Sequence, residues 1–240
     1  MSEGMMIDGQ NQLKEIRQDN YSQQPLAVRV VGNIISWVFH PVFVPMMVVA
    51  FMVHIHPYLF AGFTPFQKFK VMASGFLCFT FFPIVTVLLL KGLKFIDTIY
   101  LNSQKDRIIP FVGCMIWYFW VSYVWLNFGK TKGGADIPHE ALLFASATFI
   151  STIIGLMVNI KMKVSLHAIA MGIVLTLFIL MAISQPLLYG TWLTVVVLIT
   201  GLVCTARLIV SDHTQAEVYG GLITGAASVM LARFFVSWLG

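Results

Sequence analysis

Three short stretches hold the reactive side chains of an otherwise apolar chain. NSQKDRIIP contributes Lys105 and Arg107, KMKVSLHA contributes Lys163, Ser165 and His167, and ARLIVSDHTQAEVYGG contributes Arg207, His213 and Glu217. Arginines supply fixed forks for bidentate contact with oxyanions. Ser165 and His167 stand at the start of one expected helix, His213 and Glu217 at the start of another. Helix N-termini offer unpaired N–H groups and partial positive charge, which suit phosphate-like anions. A histidine whose far nitrogen is held by a carboxylate can attack phosphorus, and a second histidine can protonate the departing alcohol. Together these residue types point to phosphoryl transfer. Taken singly, each has a plainer reading: the histidines cap helices, and the arginines anchor loops to headgroups.

The elements that must position them are set by composition. Hydrophobic residues make up 58% of the 240 and charged residues only 10%, against about 25% charged in a soluble domain. So much apolar surface cannot be buried in one water-soluble core, which implies an integral membrane protein. A spanning helix needs about 20 apolar residues. Seven runs qualify: 34–53, 71–90, 109–128, 141–160, 164–184, 191–210 and 216–239. The expected fold is an all-α integral membrane protein, a bundle of six to seven transmembrane helices. It forms a single domain over 25–240, after a polar, disordered tail over 1–24.

Nearly every charge falls between the runs; Arg207, Glu217 and Arg233 lie near run ends. Neighbouring polar stretches are separated by two crossings, so all three emerge on the side of the N-terminus. That side carries ten Lys and Arg and the other five, so the positive-inside rule favours the cytoplasm for it. With Lys105, Arg107 and Arg207 set aside for chemistry the contrast falls to seven against five, and an outward-facing site remains the alternative. The net charge of +5 reflects this loop distribution rather than a nucleic-acid partner.

Other features have structural readings. His40-Pro41 and Pro45 make the first run kinked or re-entrant, with His40 a cap for backbone that the prolines free or, as the alternative, a functional group. His54 and His56 point to different helix faces and do not suit a metal. The aromatic run WYFWVSYVWLNF reads as packing with an interfacial belt at the Trp125 end, or alternatively as a groove for a lipid chain. Gly220, Gly221, Gly225, Ala226 and Ala227 permit close helix approach. Cys78, Cys114 and Cys204 are small buried side chains.

The polar stretches resemble the type-2 phosphatidic acid phosphatase superfamily, the membrane-bound histidine lipid phosphatases, in a bacterial branch with shortened motifs. The third family motif, Ser-Arg-x5-His-x3-Asp, corresponds to Ala206-Arg207, five residues, His213, three residues and Glu217. The second, Pro-Ser-Gly-His, corresponds to Val164-Ser165-Leu166-His167. Of the first, Lys-x6-Arg-Pro, Arg107 and a displaced Pro110 remain, with Tyr100 at the lysine position. The resemblance covers roughly 91–239.

It implies that His213 is the nucleophile, Glu217 its orienting carboxylate and His167 the general acid. Arg107, Arg207, Ser165 and the Leu166 amide would bind the phosphoryl oxygens, with Lys105 and Lys163 the nearby cations in place of the missing lysine. It implies no metal and no other cofactor. The expected activity is metal-independent hydrolysis of a lipid phosphate or diphosphate, in a multi-pass protein of the bacterial inner membrane. The expected partners are substrate and membrane lipids, with a homo-oligomer or a membrane-protein partner left open. The alternative is a weak or inactive family member that binds headgroups or serves as a subunit. A transporter is disfavoured because the runs carry no ionisable residue at mid-membrane.

Overall fold

The computed structural model describes residues 5–7, 13–15, 24–96, 98, 104–210 and 213–239. The tail expected to be disordered lies mostly outside them, as do Tyr100, Ser211 and Asp212. Within the tail, β1 (Met5–Ile7) pairs antiparallel with β2 (Leu13–Glu15). Every other described regular element is helical.

Among the described residues, six helices are long and apolar enough to cross a membrane: α3 (Pro65–Gly92), α4 (Gln104–Leu126), α5 (His139–Lys161), α6 (Leu166–Ser184), α7 (Pro186–Val210) and α8, which runs Gln215–Leu239. The first apolar run is instead two shorter helices, α1 (Leu26–Val38) and α2 (Val44–Ile55). The chain leaves α1 at Phe39 and His40, and Pro41 prevents the helix from continuing through them. At a rise of 1.5 Å per residue each piece is about 20 Å long or less, short of the roughly 30 Å hydrocarbon core. The expected kink is therefore a full break. It puts His40 at the junction.

Local sequence explains the ends. Thr64 caps α3 in a reciprocal box with Gln67, and Pro65 takes the first helical position. Within α3 the turn at Leu77–Phe81 widens to i+5 pairing just before Pro83, which brings no N–H of its own to the ladder. Inside α5, Thr148, Ser151 and Thr152 return their hydroxyls to carbonyls three residues earlier, so buried polar groups stay satisfied without water.

The centre of the bundle is α8 packed on α6 and α5, with α7 on the far side of α6 and α4 on the far side of α5. The α6–α8 crossing is close because it is built from glycine. A Cβ on Gly225 would clash with the Ile169 carbonyl oxygen, and one on Gly172 would clash with that of Leu222. Trp125 corrects the expected belt: it is buried, and its indole N–H donates to Ser74 Oγ at 2.9 Å, joining α4 to α3. The outer faces remain apolar, with Phe234, Ile183 and Leu187 exposed, as contact with lipid tails requires.

Candidate functional site

His213, Glu217 and Thr214 form a closed local circuit at the start of α8. His213 Nδ1 and Glu217 Oε2 are 2.9 Å apart. The Thr214 amide donates to the same oxygen at 3.0 Å, and the Glu217 amide returns to Thr214 Oγ1 at 3.3 Å. This is a Thr-x-x-Glu capping box, present in the sequence as a local pattern that the search for reactive groups passes over. The carboxylate accepts from Nδ1, so Nδ1 carries the proton and Nε2 holds the lone pair. One oxygen of Glu217 thus both caps the helix and holds the imidazole.

The other elements are sewn to this circuit. The Ser165 amide donates to the Glu217 carbonyl at 3.1 Å, joining the starts of α6 and α8. Arg107 donates to the Val164 carbonyl, joining α4 to the turn before α6. Asn159 Nδ2 donates to the Gln104 carbonyl at 2.9 Å, tying the end of α5 to the start of α4. Three helix N-termini therefore meet here, each with positive potential at its first turn.

Arg107 is not a loop residue, as its polar stretch suggests, but sits in the first turn of α4 with Lys105. Arg107, His167, His213 and Glu217 are each less than a tenth exposed. Arg207 is half-buried in the last turn of α7, where a cation also complements the helix dipole. Burial pushes the His213 imidazole below its ordinary range. The charges of Arg207 and Arg107 push the same way, and the hydrogen bond to Glu217 opposes them. His213 therefore rests neutral, with a nucleophilic nitrogen.

Ser165 is fully buried, and its hydroxyl faces the Ala168 amide at 3.5 Å as an N-cap. Its resting place is structural. The amides of Leu166 and His167 in that first turn have no intrahelical acceptor, by helix geometry. Lys105 is exposed, and Lys163 is half-buried in the turn before α6.

One contributor is read from sequence first as a cap, with a functional role as the second reading. His40 lies edge-on to His167, ring centroids 5.4 Å apart. Burial and the charge of Arg207 lower its proton affinity. Beside it, Ser36 of α1 is buried, and its backbone carbonyl is 3.0 Å from His167 Nε2. A carbonyl only accepts, so Nε2 of His167 carries a proton directed at α1. A signal exists in the sequence: Arg29, Asn33, Ser36 and His40 recur at spacings of four, three and four, a polar stripe on an apolar helix. The three imidazoles are not a metal cluster, since no group of three His, Cys, Asp or Glu among the described residues is placed to hold an ion.

No family model, curated protein or solved structure matches this chain.

Proposed function

We propose that the protein is a lipid phosphate or diphosphate phosphatase acting at the membrane surface through a phosphohistidine. The reading extends the superfamily resemblance of the motifs. The observation that carries it is the His213–Glu217 contact of 2.9 Å under the charges of both Arg107 and Arg207. In the proposed reaction, His213 Nε2 forms a bond to phosphorus as the bond from phosphorus to the lipid oxygen breaks. The lipid oxygen takes a proton from His167. Glu217 stabilises the imidazolium, and water, giving a proton back to His167, then attacks the phosphohistidine to release inorganic phosphate and restore both histidines. Delivery of the Nε2 proton of His167 requires its bond to Ser36 to open. The location that goes with this reading is a bacterial inner membrane.

The second reading is a headgroup-binding family member or assembly subunit without turnover. It is favoured by the burial of Ser165 in a cap and by the engagement of His167 with α1. Purified protein assayed for phosphate release from phosphatidic acid, phosphatidylglycerol phosphate and prenyl diphosphates separates the two. The expected result is vanadate-sensitive release that His213→Ala abolishes. Release that survives His213→Ala refutes the covalent mechanism, and no release from any of the three favours the second reading.

A further inference from the structure

A groove of about 170 Å³ runs between α2, α6 and α7. The polar cluster does not itself line the groove, but each wall helix leads back toward it. On α6, Met171, Val174 and Phe178 continue the face that starts with His167, at spacings of four, three and four. On α7, Val196 and Ile199 lie on the face that Arg207 heads, and α2 is led by His40. The deep walls are buried, whereas the rim residues Met47, Val195 and Trp192 are 43%, 39% and 36% exposed. The groove is thus open sideways, where lipid chains lie. It is closed at its far end by an aromatic cluster, with Phe51 4.9 Å from Trp192 and 5.2 Å from Phe178, centroid to centroid.

We propose that this groove holds the hydrocarbon chain of the substrate whose phosphate sits among Arg207, His167 and His213, and that the aromatic end sets the chain length accepted. The assignment rests on the phosphatase reading for its headgroup. It commits to a phosphorylated amphiphile because the helices that wall this apolar slot lead, beyond its lining, to the cations and helix N-termini of the cluster. Eleven residues of helix separate His167 from Phe178, or roughly 16 Å. An extended chain advances about 1.2 Å per bond, so roughly 13 bonds reach the aromatic end.

The test uses the full-length protein in detergent micelles with n-alkyl phosphates from butyl to eicosyl for turnover, and the matching n-alkyl phosphonates, which cannot be hydrolysed, for binding. Wild type should improve with chain length up to about 12 to 14 carbons and then level or decline. Val195→Trp, and separately Met47→Trp across the mouth, should weaken dodecyl binding and kcat/KM tenfold or more while leaving butyl phosphate within twofold. Trp192→Ala should move the optimum to longer chains. Because both rim positions are exposed, these variants perturb the groove without the core. Phosphonate binding with this chain dependence but no turnover keeps the groove and removes the phosphatase reading. Turnover indifferent to chain length, or equal loss of butyl and dodecyl substrates in Val195→Trp, overturns the groove assignment. Neither binding nor turnover overturns both.

Discussion

Glu217 separates capping from chemistry, because a single oxygen accepts from both His213 Nδ1 and the Thr214 amide. Glu217→Ala removes this shared acceptor and with it both hydrogen bonds. Loss of a cap costs about 1 kcal/mol within a range of roughly 0.5–2, and a hydrogen bond to a charged group is worth about 1.5–3 kcal/mol. The two losses share one atom and are not additive, so a destabilisation of about 2–4 kcal/mol is expected. Glu217→Gln is nearly isosteric and keeps a carbonyl oxygen in place, so its stability loss should stay under about 1 kcal/mol. It keeps the His213 tautomer but loses the charge that stabilises an imidazolium. At 1.36 kcal/mol per tenfold, that charge corresponds to a roughly 10- to 150-fold lower turnover. The assay pairs thermal unfolding in detergent with phosphate release from one lipid phosphate. A Gln variant that melts with the Ala variant refutes the shared-oxygen geometry as the source of stability. A Gln variant with wild-type turnover refutes the catalytic role and leaves Glu217 a cap.

Two further outcomes follow from the geometry. His213 is held below its ordinary value near 6.5 by burial and by the two arginine charges. Its neutral, nucleophilic form therefore persists below that pH, and the acid limb of kcat/KM should lie under about 6.5. The native state binds fewer protons than the unfolded chain in the same window, so this residue's contribution to stability is present above about 6.5 and is lost as pH falls through the native value. A pH–rate profile whose His213-dependent limb lies above 6.5 contradicts this electrostatic picture. Gly225→Ala should destabilise by about 1–3 kcal/mol and slow turnover. Its Cβ would meet the backbone at Ile169, Ile173 and Gly172, and the helices it separates carry His167 on one side and Glu217 on the other. Gly190→Ala in α7, with open space around it, should be neutral or gain about 0.5–1 kcal/mol, and equal melting shifts for the two would refute the close crossing.

The membrane class and six of the seven spans were legible because charge is so costly in lipid that it punctuates the sequence. The N-termini of α6 and α8 were legible for a related reason: Ser165 and Thr214-x-x-Glu217 are local patterns, satisfied within a few residues. What escaped was non-local. Arg107 looks like a loop cation because its stretch is polar, yet helix geometry tolerates polar residues in a first turn, and α4 begins ahead of the apolar run at Gln104. Trp125 stands at a run end, where exposure and burial look alike in sequence; Ser74, 51 residues earlier, decides the matter with one hydrogen bond. The polar stripe of α1 is legible in spacing but not in destination. Nothing in Arg29, Asn33, Ser36 and His40 says that the break at Pro41 folds their helix back against α7, with the Ser36 carbonyl at His167. That contact links the least regular part of the fold to the proposed proton donor. It makes the junction at 39–43 the place where a change in backbone would reach the chemistry.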